Sequence, residues 1–293
     1  MLKKLLIAGT CVCLTAGALM AQEDAAAARK TLQTYEKGVI TLSAVLKFEL
    51  KAAGASMPNL ERKTACLAAI IDTDGLAVTA LRNINPRGQA QAQGRRIELE
   101  SHVQEVKYRL ADGTELPARV VLKDEDLDLA FLAPLEPLDE QTKAKIAAVP
   151  LDDEAPPPET LDAIIMIGRA GEDLNFAATL QLGHIAATIS QPRTCYLGTI
   201  GMSGALVFNS QGKLLGIFCQ CVSGGDGSGD TIQQLASKNL ILPAAELARL
   251  VPQAKEEIGR DAEKKSDDES NDKSDDKSED RPEDETEEKS EDK

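Results

Sequence analysis

The 293-residue sequence predicts an all-β fold of two six-stranded antiparallel barrels, and three observations support this prediction. Short apolar runs such as Val39–Leu46 and Leu214–Cys219 recur along the chain, separated by turn residues such as Asp74-Gly75. Helix-forming residues are concentrated near the start, in Ala25–Lys37, where we expect a short N-terminal helix. A proline-rich stretch, Asp152–Glu159, divides the runs into two groups of about six, which is typical of two small barrels side by side.

The predicted barrels take up about residues 39–150 and 160–252, within a folded domain of residues 22–252. The apolar runs assigned to the first barrel are Val39–Leu46, Cys66–Ile71, Leu76–Leu81, Val106–Leu110 and Ala118–Leu122. Those assigned to the second barrel are Ala163–Ile167, Ala178–Leu182, Ile185–Ile189, Ala205–Phe208 and Leu214–Cys219. A domain of about 230 residues is large enough to bury a substantial core.

Residues 1–21 have the features of a secretory signal peptide. Lys3 and Lys4 precede the apolar run Leu5–Met20, and the small residue Ala21 comes before a polar stretch. This order is typical of a cleaved leader, and the apolar run is short for a membrane span. We therefore expect an extracytoplasmic protein, periplasmic or secreted, with no transmembrane span after cleavage. An uncleaved N-terminal anchor is the alternative.

The last segment, residues 253–293, differs sharply in composition from the rest of the chain. It holds 19 acidic and 9 basic residues, no aromatic residue and one large aliphatic residue, Ile258. With so little apolar surface to bury, it cannot offset the entropy of ordering, which predicts a disordered acidic tail. Its excess of acidic residues accounts for most of the net charge of −15, and the remaining charge gives no reason to expect nucleic-acid binding. The tail is either solubilising or a flexible arm for cations and basic surfaces.

Four segments resemble HtrA/Deg-type trypsin-like serine proteases, in the order of that family. Gly201–Ile217 is similar to the family's nucleophile segment, which runs Gly-Asn-Ser-Gly-Gly-Pro-Leu into a glycine turn and a strand ending Gly-Ile. The other three are Asp74–Thr79, leading to the catalytic histidine, Leu110–Leu132, around the catalytic aspartate, and Asn239–Pro243, in the closing strand. The resemblance covers about Val39–Val251 and implies a trypsin-like double barrel, but it does not extend to the family's usual PDZ domain.

The resemblance also implies the parts of a serine protease site. Ser203 takes the nucleophile position and Asp128 the aspartate position, and the N–H groups of Gly201 and Ser203 would form the oxyanion hole. The histidine position is occupied by Arg82, however, and a guanidinium does not deprotonate in proteins. We therefore expect an inactive homologue with a degenerate triad, in which Arg82 pairs with Asp128.

His102 is the alternative base. It lies 26 residues before Asp128, whereas Arg82 lies 46 residues before it, and the interval in the family is nearer the shorter value. Choosing His102 requires a long insertion after Thr79 and places the histidine against the strand Val106–Leu110. The contrary function is thus an active serine endopeptidase that uses Ser203 and Asp128 with His102.

Four cysteines remain if the leader is removed: Cys66, Cys195, Cys219 and Cys221. In an oxidising compartment they allow three pairings, which the sequence cannot choose between. Cys219 and Cys221 share one face of a strand and cannot easily bridge each other. We therefore expect one of them to pair with Cys195 and brace the Ser203 loop. The alternative is four small buried residues or free thiols. No histidine falls at metal-ligand spacing, so neither a metal site nor a cofactor is predicted.

The expected function is a protease homologue of the cell envelope with a binding or regulatory role. A barrel edge can pair with an extended peptide, so a peptide or an envelope protein is the expected partner. Substrate preference does not carry over, because Thr194–Leu197 replaces the family's Thr-Asp-Ala-Ala before the nucleophile. A third possibility is a scaffold in which the acidic tail matters most.

Overall fold

The computed structural model describes residues 25–52, 55–56, 60–86, 88–92, 95–151, 155–221 and 240–272. The predicted signal peptide and residues 273–293 of the acidic tail lie outside these ranges, so both predictions stand untested there.

The first barrel contains eight antiparallel strands within the described residues. They are β1 (Val39–Ala52), β2 (Ala55–Ser56), β3 (Leu60–Ile70), β4 (Ala77–Ala80), β5 (Gly88–Ala92), β6 (Arg95–Arg109), β7 (Glu115–Asp124) and β8 (Leu129–Pro134). Neighbouring strands follow the order β2-β1-β3-β4-β8-β7-β6-β5, and an additional pairing of β1 with β6 closes a six-stranded barrel. The short strands β2 and β5 extend the outer ends of β1 and β6.

The second barrel is formed by the strands of the second half of the chain. They are β9 (Ala163–Arg169), β10 (Ala178–Ile189), β11 (Cys195–Gly198), β12 (Leu206–Asn209), β13 (Leu214–Phe218) and β14 (Leu240–Pro243). Their closed order is β10-β11-β14-β13-β12-β9, with all pairings antiparallel. The two barrels confirm the predicted fold class.

The segment Leu67–Ile70 of β3 and strand β8 are apolar on both faces because each contributes to two cores. Leu67 and Phe131 belong to the core shared with the second barrel. Their neighbours Ala68 and Leu132 belong to the interior of the first barrel. Since successive side chains of a strand point to opposite faces, a strand between two cores must be apolar throughout. This explains why the sequence shows continuous apolar runs there rather than alternation.

Helices are few among the described residues. Residues 25–35 form helix α1, in agreement with the predicted N-terminal helix, and it packs on the second barrel through Tyr35, whose ring stacks on Phe208 at 4.9 Å between centroids. The others are α2 (Leu81–Ile84), α3 (Glu140–Lys143) and α4 (Ala244–Asp272). None of these helices is long and apolar enough to cross a membrane.

Helix α4 corrects the tail prediction. It continues through Asp272, so the expected disorder from residue 253 onward is wrong for residues 253–272. Ala254 is fully buried and Ile258 packs against the core shared by the barrels. Arg260 pairs along the helix with Glu256 and Glu257, as residues three and four apart can do. The number of apolar residues in this segment is low, but the number does not show that two of them, Ala254 and Ile258, lie on one face of the helix.

Candidate functional site

Asp128 lies in the turn between β7 and β8 and is buried. Its φ of 57° is uncommon for a residue other than glycine, and its carbonyl accepts the Leu81 N–H at 2.8 Å. Carboxylate Oδ1 accepts the backbone N–H of Arg82 at 3.0 Å. Oδ2 accepts Arg82 Nε at 2.8 Å and the backbone N–H of Gln220 at 2.7 Å. Because Gln220 follows β13, this carboxylate joins the two barrels.

Arg82 lies in α2, the short helix that directly follows β4. The expected ion pair with Asp128 is present, while 39% of the Arg82 side chain is exposed. Its backbone N–H and its guanidinium bind opposite oxygens of the same carboxylate, which fixes the side chain along the helix. A guanidinium has five donors and no acceptor, so Arg82 can neutralise the carboxylate but cannot accept a proton.

Ser203 lies in the tight turn that leads into β12. Its hydroxyl oxygen has almost no exposed surface and no hydrogen-bond partner within the described part of the chain. The N–H of the next residue, Gly204, donates to the Phe218 carbonyl at 2.8 Å. Gly204 has a φ of +83°, and a Cβ there would lie 2.6 Å from the Leu67 carbonyl oxygen. The turn therefore requires glycine, for both its dihedral angle and its close approach to the first barrel.

Asn83 connects the first barrel to this turn, and the sequence analysis did not identify it. Its Nδ2 donates to the Ser203 carbonyl at 3.0 Å and to Thr79 Oγ1 at 3.1 Å. The Thr79 hydroxyl donates in turn to the Leu67 carbonyl at 2.6 Å. The available signal was an amide side chain directly after the histidine position. Its contact could not be predicted, because Asn83 and Ser203 are 120 residues apart.

The backbone N–H groups of Gly201 and Ser203 donate no hydrogen bond to any residue that the structure describes. They are the groups that the family resemblance assigns to an oxyanion hole. Free main-chain donors beside a cleft can bind a carbonyl oxygen or an anion. Their role as an oxyanion hole stays a prediction.

One cavity adjoins the Ser203 turn between the barrels, and a second is lined by first-barrel residues between Leu46 and Pro86. The first, of about 300 Å³, is lined by Ser203, Met202, Asn83 and Arg169 among others. The second, of about 290 Å³, shares Asn83 and includes Arg82. No carboxylate lines either cavity among the described residues, although the chain as a whole is acidic. The cleft therefore favours neutral or acidic ligand groups over basic ones.

His102 is not brought to this site. It lies on β6 opposite Lys47 of β1, and its side chain is exposed. Within the described residues no hydrogen bond or ion pair joins it to Asp128 or Ser203. The geometry therefore does not support His102 as the alternative base.

His102 lies instead near Glu49 and Glu100. One potential ligand atom from each residue lies within 4.8 Å of the other two, which makes this the group among the described residues that could hold a metal ion. The prediction of no metal site rested on histidine spacing along the sequence. That spacing could not reveal this group, because Glu49 faces Glu100 across the β1–β6 pairing.

No disulfide bond joins the four cysteines in the described part of the chain. Cys195 and Cys221 are buried, with their Sγ atoms 2.7 Å apart. Cys66 lies apart from them on β3, where burial raises the pKa of its thiol to about 12 against a hydrogen bond with Thr79 that lowers it. The predicted pairing of Cys195 with Cys219 or Cys221 stays a prediction.

Comparison with known proteins agrees with this geometry. Residues 66–217 match the family of the trypsin-like peptidase domain. Among solved structures, the chain is similar to the serine endoprotease from Yersinia pestis, with 17% sequence identity and a TM-score of 0.50. The similarity covers 78% of this chain and 66%, just under two thirds, of that one. At this identity the likeness concerns the fold alone, and no curated protein matches the chain.

The family match spans more than half of the chain and contains the turn, the carboxylate and the arginine described above. It agrees with the resemblance to HtrA/Deg proteases that the sequence motifs indicated. The chain therefore belongs to the family of trypsin-like peptidase domains.

Proposed function

We propose that this chain is an exported trypsin-like protease homologue that binds peptide or protein segments in its cleft without hydrolysing them. The observation that supports this most strongly is the ion pair of Arg82 with Asp128. The sequence resemblance assigns Arg82 to the position at which a serine protease of this fold needs an imidazole. The biological setting we propose is the cell envelope, in a binding or regulatory role.

Hydrolysis needs a base that removes the proton of the serine hydroxyl. Arg82 stays protonated, and Asp128 already accepts three hydrogen bonds. The polar side chain that contacts the Ser203 backbone is that of Asn83, which acts as a donor. None of these groups can take the proton from Ser203.

The position of the Ser203 hydroxyl is a second obstacle to hydrolysis. Its oxygen has almost no exposed surface, so a substrate carbonyl cannot reach it without movement of the turn. It also has no acceptor within the described residues, whereas an activated serine donates to its base. The missing base and the buried hydroxyl are independent reasons to expect inactivity.

Peptide binding is supported by the groups that the cleft leaves available. The N–H groups of Gly201 and Ser203 donate to no described residue, and an extended peptide offers carbonyl oxygens to such donors. The neighbouring cavity is lined by apolar side chains such as Met202 and by Arg169. An extended segment with an apolar or acidic side chain fits these walls best.

The absence of hydrolysis is tested by labelling the purified protein with a fluorophosphonate probe. We expect no labelling of the wild type, with active trypsin as positive control and Ser203→Ala as background. We also expect Arg82→His to remain unlabelled, because the Ser203 hydroxyl stays buried. Wild-type labelling that Ser203→Ala abolishes would show that a base is present and would overturn the proposal.

Peptide binding is tested by fluorescence anisotropy with a library of labelled extended peptides. Met202→Arg fills the cavity beside the Ser203 turn and should abolish binding. The matched control is Leu182→Arg, an exposed position on β10 that lines neither cavity, and it should bind normally. Equal loss in both variants, or no binding by any peptide, would count against a peptide-binding cleft.

Export is tested by fractionating cells that express the full chain or a chain lacking residues 1–21. We expect the full chain outside the cytoplasm and the truncated chain inside it. A cytoplasmic full chain would contradict this part of the proposal.

A further inference from the structure

We propose that Cys195 and Cys221 form a disulfide bond that clamps the two strands on either side of β14 and holds the segment Cys219–Cys221 beside Asp128. This inference is independent of the proposed function, because it applies to an active and to an inactive cleft alike.

The two sulfur atoms are already in contact. The Sγ–Sγ distance is 2.7 Å, and both side chains are buried, at 0% and 1% exposure. A disulfide bond requires about 2.05 Å between the sulfurs, so a small further approach closes it. Because both thiols are inside the protein, each sulfur contacts the other cysteine and is shielded from reagents in solvent.

The position of the pair in the second barrel gives the bond its mechanical role. Cys195 begins β11, and Cys221 follows the end of β13. Strand β14 lies between them and pairs with both neighbours through Ile241, opposite Tyr196 on one side and Phe218 on the other. A bond between Cys195 and Cys221 would therefore connect the outer two of three adjacent strands.

The geometry also selects between the two candidate partners of Cys195. The Cys219 N–H donates to the Leu240 carbonyl, which places its backbone in the ladder with β14. Cys195 makes its sulfur contact with Cys221, and Cys219 contacts Cys221 from the same segment. Cys219 therefore lies next to the proposed bond without taking part in it, and Cys66 lies in the other barrel.

The bond would fix a contact of the functional site. Gln220, between the two cysteines, donates its backbone N–H to Asp128 Oδ2 at 2.7 Å. Phe218, just before them, accepts the N–H of Gly204 in the Ser203 turn. The closed loop from Cys195 to Cys221 contains this whole turn, so the bond restrains it from both ends.

Formation of the bond is a two-electron oxidation by thiol–disulfide exchange. One cysteine thiolate attacks the disulfide of a dithiol–disulfide oxidoreductase or of oxidised glutathione, forming a mixed disulfide and releasing one thiolate of the oxidant. The second cysteine thiolate then attacks the sulfur of the first cysteine and releases the other oxidant thiolate. The two protons lost by the cysteines go to the two oxidant thiolates, so the oxidant is reduced to two thiols.

Burial and the mutual contact make this a lasting bond rather than a switch. The Cys221 contact and burial raise the pKa of Cys195 well above its usual range. For Cys221, the Cys195 contact lowers the pKa, but the Cys219 contact and burial raise it to about 12. Little thiolate exists at neutral pH in the folded chain, so the bond forms during folding and later exchange is slow.

Peptide mapping tests the linkage. The full chain is refolded with reduced and oxidised glutathione, alkylated without reduction, and digested with trypsin. We expect residues 194–213, which contain Cys195, to be linked to residues 214–238, with fragmentation assigning the bond to Cys221 and alkylation found on Cys66 and Cys219. A link through Cys219, or alkylation of both Cys195 and Cys221, would overturn the proposal.

Stability separates the bond from a mere contact. Refolding in dithiothreitol should lower the Tm of the wild type and of the matched control Cys219→Ser by about 5–10 °C, since the bond closes a loop within a large domain. Cys195→Ser and Cys221→Ser should start at the lower Tm and show no response to dithiothreitol. An unchanged wild-type Tm on reduction would overturn the clamp.

Hydrogen exchange tests the effect on the cleft. Refolding in dithiothreitol, which prevents the bond from forming, should speed exchange of the Gln220 amide, which donates to Asp128, at least tenfold. The Leu81 amide, which donates to the Asp128 backbone carbonyl within the first barrel, serves as internal control and should not change. Equal rates for the Gln220 amide in both redox states would show that the bond does not hold this segment.

Discussion

The two barrels contribute to the cleft in different ways. The second barrel supplies the Ser203 turn, in which Gly204 adopts a left-handed conformation. The first barrel supplies Asp128, but its partner is Arg82 instead of an imidazole. The turn is under packing constraints, since it lies against Leu67 and Phe218, whereas the partner of Asp128 is the single, partly exposed side chain of Arg82. Packing therefore constrains the architecture of the cleft more than it constrains the side chain that pairs with Asp128.

The contrast also shows what holds the halves of the cleft together. Gln220 of the second barrel donates to Asp128 of the first, and Asn83 of the first donates to the Ser203 carbonyl of the second. These two hydrogen bonds, one donated by each barrel, give Asp128 and Asn83 a structural role. Arg82 donates a further hydrogen bond to the Asp128 carboxylate, which links the two barrels.

The largest expected effect is on the turn of the second barrel. Gly204→Ala should destabilise the protein by about 3 kcal/mol and lower the Tm by roughly 6–12 °C, because of the dihedral angle and the contact with Leu67. The control Gly113→Ala has a similar φ of +84° but nothing near its added Cβ, so it should cost about 1 kcal/mol. Thermal unfolding of both measures the difference. Equal effects would show that close packing does not constrain the turn.

Next is the carboxylate shared by the barrels. Asp128→Ala leaves the Gln220 N–H and the Arg82 guanidinium without their acceptor and should cost about 2 kcal/mol in urea unfolding. Arg82→Leu should cost less, about 1 kcal/mol, because Asp128 keeps two backbone donors. A double mutant whose cost equals the sum of the two would indicate that the ion pair is not coupled.

Asn83 should have a smaller effect. Asn83→Ala removes the donor to the Ser203 carbonyl and to Thr79 and should destabilise the protein by about 1 kcal/mol. Asn83→Asp keeps the size but loses the donor, so it should be at least as destabilising. A neutral Asn83→Asp variant in urea unfolding would argue that this bond does not join the barrels.

The smallest effect is expected far from the cleft, where Asp72 binds Lys255 of α4 at 2.5 Å. Burial raises the pKa of Asp72, but the hydrogen bonds from Lys255 and the Asp74 N–H outweigh it and lower the pKa. The carboxylate therefore stabilises the fold above its unfolded pKa of about 3.9, and this contribution is lost as the pH falls through the lower folded pKa.

Asp72→Asn should lower stability by about 0.5 kcal/mol at neutral pH, since the pair is partly exposed. The difference from wild type should vanish below the folded pKa of Asp72. Urea unfolding as a function of pH measures it. A difference that persists at low pH would assign the effect to packing rather than to charge.

Much of the fold followed from local patterns. Apolar runs, turn residues and the proline-rich stretch near the middle predicted two barrels, and the structure contains both. The composition rule failed at α4, because a few apolar residues such as Ala254 and Ile258 are enough to dock a helix when they share one face. Counting residues does not show which of them face the same side.

The features of the candidate site also divide into those that the sequence predicted and those that it did not. Motif order placed Ser203 and Asp128, and the chemistry of arginine predicted its pairing with the carboxylate. Asn83 was missed, because its partner in the other barrel is distant in sequence. The burial of the Ser203 hydroxyl was missed as well, since a motif specifies a residue type and not its exposure.

The residues alone were sufficient for the barrel pattern, for assigning Arg82 to the family's histidine position by resemblance, and for the incapacity of an arginine side chain as a base. These depend on side-chain identity and on spacing along the chain. Only the packing of the barrels selected Cys221 over Cys219 as the sulfur neighbour of Cys195, and turned His102 away from Asp128. Such choices depend on strand register and on contacts between distant segments, which are set when the whole chain folds.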